Sequence, residues 1–202
     1  MIYVVATLTV KPETRAEFIA AATACIKETR KEPGNIAYDL HESVTDPSKM
    51  VFVEQWDNEE ALVEDLWPGC RKVHERAAED RSHYARQRHR ALKTRTTRER
   101  TMIYVVATTQ VKPDQRDSFI AGHKKCIAET LKEKGCLSYE GHTAIHDPNT
   151  YVVVERWETR DDLTAHGKAP HMKVWREYSA PLKASPTTIE IISADKVDTI
   201  KA

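Results

Sequence analysis

Two histidines, His166 and His171, flank Gly167 and Pro170 in a stretch with helical spacing. Imidazole titrates near neutrality, so a modestly buried histidine beside a helix break could take or give a proton at ordinary pH. A helix cap, or a contact between two halves of the chain, is the alternative reading for both. Glu155 and Trp157 stand two apart in a strand-like run, which puts their side chains on one face of a sheet. Trp157 then serves either as a pocket wall or as ordinary core. His142 and His146 fall on a strand and in a turn, and no third ligand of suitable spacing accompanies them, so no metal site is expected there.

The elements that would hold these residues follow from an internal duplication. MIYVVATLTVKPETRAEFIAAATACIKETRKEPG from Met1 returns at Met102 as MIYVVATTQVKPDQRDSFIAGHKKCIAETLKEKG, in unbroken register through Trp56 and Trp157. The chain therefore reads as two modules, residues 1–101 and 102–202. In the second, Ile103–Val111 is rich in Val, Ile, Tyr and Thr and stops at Lys112-Pro113, as a strand must where proline cannot donate to the ladder. Phe119, His123, Cys126, Ile127 and Thr130 then recur at helical spacing, with Gly135 as the stop. Leu137–His142 and Tyr151–Trp157 read as strands around the turn His146-Asp147-Pro148-Asn149. Asp161–Tyr178 returns to helical spacing, bent or interrupted at Gly167 and Pro170, and Thr187–Ile192 reads as the last strand. The order β-α-β-β-α-β is the ferredoxin-like split of the α+β class. Its uncovered sheet face is expected to pack on the other copy, giving a dimeric α+β barrel within one chain.

Bulk properties narrow the partners. Lys plus Arg and Asp plus Glu are equal at 31 each, so no global field draws the chain to nucleic acid or anionic lipid. No apolar run approaches the roughly twenty residues of a membrane span. The opening MIYVVATLTVKPE lacks the basic start and cleavage site of a secretion signal, so a cytoplasmic location is expected. The cysteines, Cys25, Cys70, Cys126 and Cys136, show no C-x-x-C spacing. Cys25 and Cys126 are equivalent in the two copies and read as small buried hydrophobes.

The copies have diverged unequally. Similarity nearly vanishes over residues 67–101, a stretch with nine arginines among them Arg71, Arg86 and Arg100, and the first copy's fourth strand is doubtful there. An RNA contact, a solvated helix and linker laced with Glu75, Glu79 and Asp80, and a shifted reading frame are all open readings. Cys70 and Asp65 occupy the slots of His171 and His166, so only the second copy keeps the candidate histidines. His41 and His142, Tyr38 and Tyr139, and Tyr3 and Tyr104 are kept in both, which favours structural roles.

The V-K-P turn, the G-C-L-S-Y-E segment, the D-P-N-T hairpin, the V-V-V-E-R-W strand and L-T-A-H-x-x-x-P-H resemble the antibiotic biosynthesis monooxygenase family. The resemblance covers residues 102–192 and residues 1 to about 66. It implies small α+β barrel proteins that include cofactor-free oxygenases of quinols and anthrones, haem-degrading enzymes and an isomerase. On this footing the chain is expected to be a cofactor-independent monooxygenase of a small aromatic quinol-type substrate. His166 or His171 would be the base, Trp157, Glu155, Tyr139 and Trp175 would bind substrate, and O2 would be the second reactant. Such chemistry asks of the protein a base, a dry pocket and donors for a developing oxyanion. Haem degradation is disfavoured, because strand one reads Ala107-Thr108-Thr109 where those members have asparagine, and Arg176 stands near their histidine. A non-catalytic binding or stress-response protein, with the cavity filled by Trp175 and Tyr178, is the rival. An isomerase using the same base is the other. No cofactor, nucleic acid or membrane partner is expected, and a homo-oligomer beyond the internal pair is left open.

Overall fold

A computed structural model describes residues 1–64, 102–193 and 197–201. The chain divides into two compact units, Met1–Arg86 with Ala144–His146, and Gln87–Thr143 with Asp147–Ala202. The first copy's fourth strand, the Arg-rich segment and the slots at Asp65 and Cys70 lie outside the described residues.

In the first unit, β1 (Ile2–Thr9), α1 (Arg15–Thr29), β2 (Asn35–Ser43), β3 (Lys49–Trp56) and α2 (Glu59–Glu64) follow in order. The strands are antiparallel with β3 between β1 and β2. Phe18, Ala22, Cys25 and Ile26 of α1 bury one stripe against Leu40, Met50, Phe52 and Trp56 of the sheet.

The second unit contains β4 (Ile103–Gln110), α3 (Arg116–Thr130), β5 (Cys136–Ala144), β6 (Thr150–Trp157), α4 (Arg160–His166), α5 (Pro170–Ser179), β7 (Thr188–Ile192) and β8 (Val197–Lys201). Its antiparallel order β5-β6-β4-β7 is that of the ferredoxin-like split. The second helix is divided as Gly167 and Pro170 imply: α4 stops at His166, and Pro170 opens α5, where a missing N–H does no harm. One strand goes beyond expectation, since β8 pairs along β7 from Thr188↔Lys201 to Ile192↔Val197. Among the described residues no helix is long and apolar enough to cross a membrane.

Local chemistry fixes the corners. Gly34 and Gly135 stand directly before β2 and β5 with φ of 81° and 77°, a left-handed conformation that favours glycine, whereas α1 and α3 stop earlier, at Thr29 and Thr130, so Gly135 is the turn into the strand and not the expected helix stop. In the hairpin between β5 and β6, Asp147 accepts from the Asn149 amide at 3.1 Å and from the Thr150 hydroxyl at 2.6 Å. Along β6, Tyr151 and Trp157 reach residues of the helices, so the odd-numbered positions, Glu155 among them, face the helical layer.

Candidate active site

Three chain ends converge beside that face: the residues after α3, the last residue of α4 and the start of α5. They bring together Glu133, His166 and His171, whose ligand atoms all lie within 4.8 Å of one another. His166 Nδ1 is 2.6 Å from Glu133 Oε1. A carboxylate oxygen only accepts, so Nδ1 carries the hydrogen and Nε2 the lone pair. His166 is 3% exposed and its Nε2 has no hydrogen-bond partner. The ring lies against Trp157, centroids 4.7 Å apart, and 5.5 Å from Tyr139. Burial holds the His166 pKa below the ordinary histidine value, and Glu133 opposes part of that shift.

His171 is less buried. Its Nε2 is 3.1 Å from Glu133 Oε1 and 3.2 Å from Thr130 Oγ1. Thr130 donates its hydroxyl hydrogen to the Cys126 carbonyl at 3.0 Å, so its oxygen is left to accept from His171. Glu133 thus takes a hydrogen bond from His166 and lies within 3.1 Å of the second imidazole. The corner holding them is braced by amide bonds from Lys168 to Ala165 O and from Ala169 to His166 O, both 3.0 Å. The Arg176 guanidinium adds a third brace to Gly167 O at 3.0 Å.

Behind His166 lies a buried polar chain within the aromatic layer. Trp157 Nε1 donates to Glu155 Oε2 at 2.8 Å, and burial raises the Glu155 pKa to about 7. His123 on α3 is fully buried between two tyrosines, with Nδ1 2.8 Å from Tyr151 Oη and Nε2 3.3 Å from Tyr139 Oη. Burial lowers its pKa to about 3. Trp175 on α5 packs over Phe119 and His123 at centroid distances of 4.9 and 4.8 Å. Cys126, free and buried, has its thiol pKa pushed up to about 11. A thiol held neutral in this way is packing rather than a nucleophile.

All six residues expected at the site therefore fall in one neighbourhood of the second unit, in graded positions. His166, Trp157 and Glu155 share the buried face, Tyr139 meets it directly at His166 and joins His123 to it, and His171 and Trp175 lie on its more open side. Sequence reasoning missed Glu133, which looks like one charge in the solvated run Lys132-Glu133-Lys134, and gave His123 no chemical role. A signal for His123 existed in the comparison of the copies. Its equivalent is Ala22, and the neighbouring Gly141 and Tyr151 correspond to Leu40 and Met50. A Cβ on Gly141 would come within 2.8 Å of Tyr151 Cζ and 2.9 Å of His123 Nδ1, so the three exchanges belong together. The Glu-x-Trp pair is common to both units, with Trp56 Nε1 donating to Glu54 at 3.0 Å.

Set beside known proteins, residues 1–64 and 102–178 match the family model described as antibiotic biosynthesis monooxygenase. The chain belongs to that family. An uncharacterized protein of Synechocystis is 31% identical over 98 residues, spanning 48% of this chain and 67% of that one. The Escherichia coli K12 protein named "Probable quinol monooxygenase YgiN" is 30% identical over 89 residues, 38% of this chain and 83% of its own length. Among solved structures, a conserved protein from Methanosarcina mazei Go1 is 30% identical with a TM-score of 0.47, covering 48% of this chain and 95% of that one. Glu133, His166, His171 and Trp175 all lie inside the second stretch matched by the antibiotic biosynthesis monooxygenase family.

Proposed function

We propose that the second repeat is a cofactor-independent monooxygenase of a small aromatic quinol or anthrone, with His166 Nε2 as the base. The observation that carries this is a buried imidazole oriented by a carboxylate, its unpartnered nitrogen beside Trp157 and Tyr139. The arrangement has the logic of a base held in one tautomer by an acidic partner. A lowered pKa keeps His166 neutral and able to accept a proton. Removing a phenolic or benzylic proton yields an electron-rich anion that can reduce O2. Anthrone-type turnover then converts a CH2 group and O2 into a carbonyl and one water, with no external reductant.

His171 has its Nε2 engaged by Thr130 and Glu133 and supports the corner rather than serving as the base. Glu155 and Trp157, joined by their hydrogen bond, would supply the polar end of a substrate-binding wall, and Trp175, packed on His123, its α5 side. The family match supports a monooxygenase, and the name of the E. coli relative is what favours a quinol-type substrate.

A second reading, a non-catalytic binding protein, is favoured by the packing of Trp175 onto Phe119 and His123 and by the Tyr178 hydroxyl bonded to Ser118 O. These contacts fill the helical side of the layer. Mixing the protein with an anthrone under anaerobic conditions tests the base directly. The bound anion's absorbance is expected with the intact chain and absent with His166→Ala. No anion with the intact chain rejects the base assignment; an anion that turns to product without O2 identifies an isomerase instead.

A further inference from the structure

The carboxylate that orients His166 also faces His171, and together they present two imidazoles and one carboxylate from three rigid chain ends. We propose that Glu133 Oε1, His166 Nδ1 and His171 Nε2 form a divalent transition-metal site of zinc type, whose occupation switches off the lone pair at His166 Nε2. The donor types are those that bind zinc, with three protein ligands and an open fourth position.

Two of the three donor pairs are spaced for a shared ion, and the third, His166 Nδ1 to His171 Nε2, lies within 4.8 Å and closes as the ion binds. Zinc to nitrogen or oxygen bonds run about 2.0–2.2 Å, so donors on one ion at angles of roughly 90–110° stand about 2.9–3.5 Å apart. The His171–Glu133 separation of 3.1 Å already lies in that range, and the His166–Glu133 separation of 2.6 Å must open by a few tenths of an ångström. Entry is open on one side, since the His171 and Glu133 side chains are 22% and 19% exposed while His166 is 4%. The brace from Arg176 to Gly167 O keeps the ligand-bearing ends in place, and the contact of His171 Nε2 with Thr130 Oγ1 is given up when that nitrogen binds the ion. Neutral imidazole need lose no proton to bind, because the hydrogen moves to the other nitrogen. At His166 that other nitrogen is Nε2. A metal on Nδ1 therefore protonates the atom the base would use, and the ring can no longer accept.

The silencing half of the inference rests on His166 as base, whereas the site itself does not, so the two are read separately. Zinc binding to the full chain, stripped with chelator, is measured by calorimetry, and cobalt is used as a spectroscopic substitute. One zinc per chain is expected, weakened at least tenfold in Glu133→Gln and in His171→Ala, with His146→Ala as an unchanged control. The partly exposed His171 keeps the test meaningful even if His166→Ala fails to fold. Cobalt should give d–d bands without a thiolate charge-transfer band. Affinity equal in intact and variant chains, or a thiolate band placing the ion on a cysteine, would overturn the site. Oxygen consumption that continues undiminished at full zinc occupancy would overturn the silencing. Binding lost in the variants upholds the site whether or not the chain consumes oxygen.

Discussion

At the scale of single residues, Glu133 stands between the two candidate histidines. Its carboxylate fixes the His166 tautomer, and removing it frees the ring to place its hydrogen on either nitrogen. Glu133→Gln is expected to lower kcat roughly 10- to 100-fold with little change in KM, whereas His166→Ala should cost about 10²- to 10⁴-fold. Steady-state kinetics of the two variants on one substrate checks the order. A Glu133→Gln enzyme with full kcat would remove the orienting role. Glu133 was illegible in the sequence because a carboxylate between two lysines has the pattern of a solvated helix end. Glu155 and Trp157 were legible as a pair, since residues two apart on a strand must share a face, and the hydrogen bond between them is the outcome.

At the scale of elements, strands β4 to β7 and helix α3 could be read from periodicity, and the split between α4 and α5 from Gly167 and Pro170. The short strand β8 could not, because five residues with only two large apolar side chains in Val197–Lys201 carry little alternation. The packing of α3 on β5 and β6 was likewise hidden, since periodicity places His123 on the buried stripe without distinguishing it from a hydrophobe. The two copies supply a test of that packing. Gly141→Leu alone forces a side chain against Tyr151 and His123 and is expected to destabilise by roughly 2–5 kcal/mol. Combining it with His123→Ala and Tyr151→Met recreates the Ala22, Leu40, Met50 arrangement and should recover most of that loss. Chemical denaturation of the single and triple variants measures the coupling; additive effects would show that the three positions are independent.

For the whole molecule, stability should carry opposed titrations, of which His123 and Glu155 are two. His123 has a folded pKa of about 3, below its ordinary 6.5, so its contribution is complete above pH 6.5 and is lost as pH falls toward 3. Glu155 has a folded pKa of about 7, above its ordinary 4.5, so its contribution is complete below pH 4.5 and is lost as pH rises toward 7. Each amounts to a few kcal/mol at full titration. Between pH 4.5 and 6.5 the two slopes oppose one another. Glu155→Gln should therefore make stability rise with pH across that window, and His123→Ala should lower the slope, leaving the rise from His41 and His166, also held below the ordinary histidine value by burial, to oppose the fall from Glu155. Denaturant midpoints at several pH values read both slopes, and matching slopes in the two variants would refute the assignment.

The duplication was the feature most legible at this scale, because an unbroken register over half the chain needs no structural help to see. The second copy alone keeps the candidate histidines, and on the proposed function the chemistry resides there. Oxygen uptake with a panel of quinols and anthrones, after chelator treatment, tests this most directly. The intact chain is expected to consume O2 in step with substrate, and His166→Ala, with the whole first copy unchanged, to fall to the buffer rate. Uptake that persists in His166→Ala, or none above buffer from the intact chain with any member of the panel, would contradict it.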